Sequence, residues 1–363
     1  MNCIIHIGMH KTGSSAIQNI LSSLPRTNNY NYLNISSSPN QSSAIVSIFG
    51  NESENYQSYK KRKINKETIE KQKIKYRDNF IRQIKNNKSE NLFLSAESLT
   101  SNWIDIESIN TLKNIIQENS YSIKIVAYVR EPSEFQKSMF LHKLKGGLAG
   151  FNIEKNKPHY QKRFEKFDQV FGETNVILWK YDKNHFPDNC VVKDFCKKMN
   201  IDLTVNTDVY NEGFTKEAAC ILYSYLKYGK NHLHRKTSFK EIKALVKALR
   251  SLDGTKFRFS DELIRQYYGQ NHEDITWMEE RLGEKFVINK STTGDVIEGE
   301  NDLLKIDSEI FEKFIVKFHE QNKLIINPEL NYKYVKNPEE AAIIITTIKN
   351  KLASKILKEK VLI

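Results

Sequence analysis

Eight residues near the N-terminus carry the first chemical signal: Gly8-Met9-His10-Lys11-Thr12-Gly13-Ser14-Ser15. Small residues at such a turn let backbone N–H groups converge on an anion, and a helix starting there adds the positive end of its dipole. Ser14 and Ser15 can donate hydroxyl hydrogens to phosphate oxygens, and Lys11 brings a mobile positive charge. The run approaches the nucleoside-triphosphate loop GxxxxGK[ST] without matching it. Gly8, Gly13 and Ser15 fit, but Ser14 stands where the lysine belongs and the charge has moved to Lys11. A lysine in the usual place bridges the terminal phosphates of a triphosphate beside magnesium. The displaced one suits a donor with a shorter, differently charged chain beyond its first phosphate.

A second signal follows the apolar run Ile123–Val129, which ends in Arg130-Glu131-Pro132, with Ser138 eight positions after the arginine. Pro132 suits the first turn of a helix, and that helix would carry Ser138 two turns along, on a face near Arg130. A guanidinium fork plus a hydroxyl makes a binding site for a second, separate phosphate. Two phosphate sites on βα turns of one sheet suit a ligand phosphorylated at two separate places.

Lys11-Thr12-Gly13-Ser14-Ser15, following the strand Ile4–Ile7, resembles the 5′-phosphosulfate loop of sulfotransferases that use 3′-phosphoadenosine 5′-phosphosulfate (PAPS), with serine for threonine at the last two positions. Arg130 with Ser138 resembles the 3′-phosphate motif of the same superfamily. By motif order the resemblance runs from Cys3 to Phe286. The turn from Asn211 to Ala218 and the stretch Tyr267 to Leu282, containing Trp277, are loosely similar to bacterial carbohydrate-type members. A Gly-rich C-terminal nucleotide loop like that of animal cytosolic members is not visible. The resemblance implies a glycan- or glycolipid-modifying enzyme with PAPS as donor, adenosine 3′,5′-bisphosphate as product and no metal. It assigns Lys11, Thr12, Gly13, Ser14 and Ser15 to the 5′-phosphosulfate and Arg130 and Ser138 to the 3′-phosphate, with Lys11 also stabilising the leaving bisphosphate.

The base that deprotonates the acceptor stays open between two residues, or neither. Glu97, in Leu94-Ser95-Ala96-Glu97-Ser98, falls just past a short apolar run, at the strand end where ligands of such sheets bind. Some carbohydrate sulfotransferases use a glutamate similarly placed. His10, inside the loop, has the more nearly neutral pKa. His6 alternates with apolar residues and reads as a hydrogen-bonded core histidine.

These residues need strand ends to hold them. Cys3–Ile7, Leu92–Leu94, Ile123–Val129 and Val176–Trp179 are short apolar runs, rich in β-branched residues. Helical patterns separate them: Ile17, Ile20, Leu21 and Leu24 before Pro25, then Lys60 to Lys88, then Ile106 to Ile116. Buried strands alternating with helices predict a doubly wound α/β domain with a mainly parallel sheet. Asn28 to Tyr59, rich in Asn, Ser and Tyr, reads as a long loop. From Phe214 the character is helical: Ala218–Tyr228, Ile242–Leu249 and Asp261–Leu282 with a break near Gly269. A polar linker beyond Lys290 and two helices, Ser308–Lys323 and Glu339–Lys360, complete the chain. The expected division is a sulfotransferase-like domain over 1–286, with a helical substrate part at 213–286, and an extension over 287–363.

Composition bounds the rest. The chain has 363 residues, 39% of them hydrophobic, enough for a sizeable core. No window approaches the roughly 20 apolar residues of a bilayer span, and no secretory leader precedes the first strand, so cytoplasm is expected. The cysteines, Cys3, Cys190, Cys196 and Cys220, form no CxxC pair and read as reduced thiols. A net charge of +12 is compatible with an anionic partner or with lysines spread over solvated faces. No basic stripe interleaved with aromatics points to nucleic acid. The basic C-terminal helix is compatible with an anionic membrane surface, though packing on protein is the commoner fate of such a helix. His232 and His234 flank Leu233 beside Arg235 and Lys236 and read as a basic surface loop in preference to a metal pair. A P-loop kinase and a nucleotide- or glycan-binding protein without turnover are the rival readings.

Overall fold

The structure is a computed structural model and describes residues 1–9, 11–51, 56, 59, 64–202, 213–229, 239–287, 295–324 and 332–361, with side chains through 354 in the last stretch. The chain forms two compact units: Met1–Pro132 with Pro158–Val209 and His272–Phe286, and Ser133–Lys157 with Tyr210–Asn271 and Val287–Ile363.

The first unit is built on five parallel strands: β1 (Asn2–His6), β2 (Tyr30–Tyr32), β3 (Asn91–Ser95), β4 (Ser122–Arg130) and β5 (Val176–Tyr181), in the order β2-β3-β1-β4-β5. From β1 the chain goes first to one side of the sheet and later to the other, so the direction of winding reverses beside β1. In open α/β sheets the crevice at such a reversal, outside the strands' carboxyl ends, is where ligands bind. The two loops singled out in the sequence leave the sheet there: the glycine turn follows β1, and Arg130 ends its neighbour β4.

Helices α1 (Ser14–Ser23) and α7 (Val191–Lys198) cover one face, burying Ile17, Leu21, Val192 and Phe195 against Ile4, Phe93, Val126 and Tyr128. Helices α4 (Ile106–Gln117) and α6 (Tyr160–Phe171) pack on β4 and β5, with none of their residues in that cluster. Burial on both faces explains why the strands read as continuous apolar runs. The chain is thus a doubly wound α/β protein with a helical C-terminal region, as expected.

Two elements break the predicted 28–59 loop. β2 is three residues long, too short for its alternation to register. Helix α2 (Ser42–Phe49) is buried along nearly its whole surface, so it has no polar face to impose a 3.6-residue period. Helix α3 spans Lys66–Lys85, shorter than the predicted 60–88, because the Asn65 side chain accepts from Thr68 N at 2.8 Å and caps it there.

The second unit is helical: α5 (Pro132–Lys145, all but its first residue), α8 (Lys216–Tyr228), α9 (Phe239–Arg250), α10 (Asp261–Gln270), α12 (Ser308–Asn322) and α13 (Pro338–Val361). Phe140, Tyr223, Phe257, Phe259, Phe314 and Ile345 are among its core residues. α11 (His272–Leu282) belongs to the first unit, and the predicted break comes at Asn271, two residues after Gly269.

Candidate active site

The turn after β1 is wound by three residues in the left-handed region: Gly8 (φ 41°), Lys11 (φ 71°) and Gly13 (φ 81°). Gly13 is the residue before α1, and no side chain among the described residues caps that helix. Its glycine is required twice over, because a Cβ there would stand 2.6 Å from Val191 Cγ1 as well as straining the backbone. Thr12 is fully buried and ties the turn together, its Oγ1 donating to the Met9 carbonyl at 2.6 Å. Lys11 is half-buried and Ser15 exposed. Ser14 is only 3% exposed, and its Oγ has no hydrogen-bond partner among the described residues. A hydroxyl left so, beside a helix N-terminus, keeps its hydrogen available to an acceptor.

Arg130 meets this turn. Its Nη1 donates to the Lys11 carbonyl, its guanidinium lies 5.3 Å from the centre of the Tyr181 ring, and the Tyr160 hydroxyl donates to the Arg130 carbonyl. Strand register sets the ring contact, since Arg130 pairs with Tyr181 across β4 and β5. Ser138 lies half-buried on α5, in the second unit. His10 lies outside the described residues, as do His232, His234 and Asn211.

Glu97 opens a short 3₁₀ turn, Glu97–Thr100, two residues past β3, and is half-buried. The turn is anchored on the neighbouring elements: Ala96 N donates to the His6 carbonyl at 3.0 Å, and Ser98 Oγ to the Ser42 carbonyl at 3.0 Å. The Glu97 carboxylate acts electrostatically on both His6 and Arg163. Burial lowers the pKa of the Arg163 guanidinium, while Asp274, Glu97 and Tyr160 oppose the shift.

His6, at the end of β1, is 1% exposed and bonded through Nδ1 to Ser95 Oγ at 2.8 Å. Burial pushes it down to about 4, with Glu97 pulling the other way, so the ring is neutral at physiological pH.

Sequence reasoning missed the residues of α6 that surround this end of the sheet. Lys166 donates to the carbonyls of Ser101 (2.9 Å) and Ile104 (2.6 Å), and burial, then Arg163, push it down to about 8. The spacing of Tyr160, Phe164, Phe167 and Phe171 marks this helix, but not which strand ends its polar residues reach.

The groups gathered at the turn are a hydroxyl, a helix N-terminus, a lysine and a guanidinium, which fit phosphate or sulfate oxygens. Among the described residues no group of three or more His, Cys, Asp or Glu could hold a metal ion, and no helix is long and apolar enough to cross a membrane. Fold and site together define a parallel α/β protein with a glycine-wound turn where its winding reverses.

No family model and no curated protein matches the chain. Among solved structures it is similar to a sulfotransferase from Alicyclobacillus acidocaldarius, with 13% identity and a TM-score of 0.39 over 65% of this chain and 97% of that one.

Proposed function

We propose that the chain is a sulfotransferase that moves the sulfuryl group of PAPS to a hydroxyl or amine of a glycan or glycolipid in the cytoplasm. The observation that carries this reading is the contact of Arg130 with Lys11: a second cationic group stands directly against the turn that also holds the buried hydroxyl of Ser14. One anion site would need only the turn. A guanidinium on the adjacent strand end supports a donor phosphorylated at two places.

In this reading Thr12, Gly13, Ser14 and Ser15 hold the 5′-phosphate and Arg130 the 3′-phosphate. Ser138 is assigned to the 3′-phosphate on its sequence spacing alone. The donor supplies an activated sulfur bonded to a good leaving phosphate. Lys11 stabilises negative charge as that bond breaks, and the acceptor hydroxyl or amine loses its proton as its bond to sulfur forms, with Glu97 and His10 as the two candidate bases. Residues 213–286 as a substrate part and 287–363 as an extension belong to the same proposal.

Calorimetric titration with adenosine 3′,5′-bisphosphate, followed by transfer of labelled sulfate from PAPS to a panel of glycans, tests the reading. Binding that Arg130→Ala weakens at least tenfold is the expected result. Thermal stabilisation by ATP with magnesium, and none by the bisphosphate, would replace the enzyme with a kinase.

A further inference from the structure

Beneath the phosphate turn lies a polar pair that the reaction as described does not use. His6 and Ser95 face each other across β1 and β3, at 2.8 Å between Nδ1 and Oγ. The other ring nitrogen, Nε2, is buried and has no hydrogen-bond partner among the described residues. Ser14 Oγ is in the same condition. Both border the space left by the missing side chain of Gly8: a Cβ there would stand 2.5 Å from Ser14 Oγ and 3.4 Å from His6 Nε2. Two buried polar atoms without partners, both bordering one glycine, are unusual in a folded chain, where nearly all such atoms are bonded.

We infer that His6 is a positioning residue for donor binding: the Ser95 hydroxyl donates to Nδ1, the Nε2–H donates to Ser14 Oγ, and the Ser14 hydrogen is thereby aimed at the bound phosphate. The deduction follows from donor and acceptor capacity. A neutral imidazole has one N–H and one lone pair, so if Nδ1 accepts, Nε2 donates. A serine oxygen that accepts from Nε2 uses its own hydrogen elsewhere, and the anion at the helix N-terminus is the acceptor on that side. The ring is desolvated and neutral, so the chain of bonds carries direction and no charge. The structure itself does not make the middle link; both its atoms border the space at Gly8, and the bond forms when the turn takes up the anion. This inference rests on the turn being the donor's phosphate site.

Gln18 is the rival director. It lies four residues after Ser14 on the buried face of α1, and neither amide atom has a partner among the described residues. Gln18→Leu separates the two.

The test has three readings. In the ligand-free protein, ¹⁵N spectra of labelled histidine should show His6 protonated on Nε2; a proton on Nδ1 overturns the inference without any ligand or variant. Ser14→Ala and His6→Asn should each weaken adenosine 3′,5′-bisphosphate about tenfold, and the double variant no further than Ser14→Ala alone. His6→Gln, whose amide N–H reaches the place of Nε2, should stay within about threefold of wild type. Losses that multiply in the double variant, or a loss in Gln18→Leu as large as in His6→Asn, overturn the role given to His6. If the wild-type protein binds no bisphosphate, the sulfotransferase reading fails instead; the same variants read with pyrophosphate, together with the tautomer, then decide the role of His6.

Discussion

The guanidinium of Arg130 donates to the carbonyl of Lys11, tying the carboxyl end of β4 to the turn that follows β1. These positions are 119 residues apart in the chain. The neighbouring strands and the left-handed conformation of Lys11 bring them together. The same guanidinium lies near the Tyr181 ring, so its direction is constrained by a strand on each side.

Arg130→Lys therefore tests geometry rather than charge. A lysine keeps the positive charge but loses the planar fork that can serve a carbonyl and a phosphate together. Affinity for adenosine 3′,5′-bisphosphate should fall about tenfold, with a smaller change for adenosine 5′-phosphate, measured by calorimetry.

Lys11→Met should separate binding from turnover. Lys11 is assigned to charge that develops on the leaving group, so its removal should lower kcat for sulfate transfer by at least about a hundredfold. Bisphosphate affinity should fall less than in Arg130→Ala. Equal losses in kcat and in ground-state affinity would argue against that assignment.

Much of this site was legible because its parts are local. A buried strand followed by glycines and then by a helical period is readable from adjacent residues, and so is an arginine that ends an apolar run before proline. The strand-end position of Glu97 was readable in the same way. What could not be read depends on partners far away in the chain. Lys166 reaches the carbonyls of Ser101 and Ile104, and Arg163 interacts electrostatically with Glu97, only because α6 packs on β5 and α4, and no local pattern encodes it. α2 escaped notice for the opposite reason: its Ser and apolar residues are buried together, leaving no contrast of polarity to follow.

Gly13→Ala should destabilise the protein and disturb the start of α1. The substitution adds a Cβ 2.6 Å from Val191 Cγ1 and forces a side chain onto φ 81°. The backbone part costs about 1–2 kcal/mol. Adding Val191→Ala should relieve the steric part and leave the backbone part. Denaturant unfolding of the single and double variants checks this.

Arg281 ties α11 to the first unit through Asp168, with Nε at 3.0 Å and Nη2 at 2.8 Å from its two carboxylate oxygens, and Nη2 also donates to the Val176 carbonyl at 2.7 Å. Both side chains are largely buried, so removing one leaves the other charge without its partner. Arg281→Ala should cost about 3–5 kcal/mol in denaturant unfolding, whereas breaking the exposed pair Lys71–Glu67 should cost less than about 1 kcal/mol.

His6 should leave a mark on acid stability. Burial lowers it to about 4 from the ordinary 6.5, so the unfolded chain binds the proton first as pH falls. Between about pH 6.5 and 4 the unfolded state therefore holds more protons than the folded one, and stability decreases with falling pH. The full effect of this one group is at most about 3 kcal/mol, reached below pH 4. His6→Gln has nothing to titrate there, so its denaturation midpoint should be flatter between pH 6.5 and 4 than that of wild type. The two profiles should run parallel above pH 7. Parallel profiles across the acid range as well would mean that His6 takes up its proton in the folded protein as readily as in the unfolded chain, and the buried neutral ring beneath the turn would have to be abandoned.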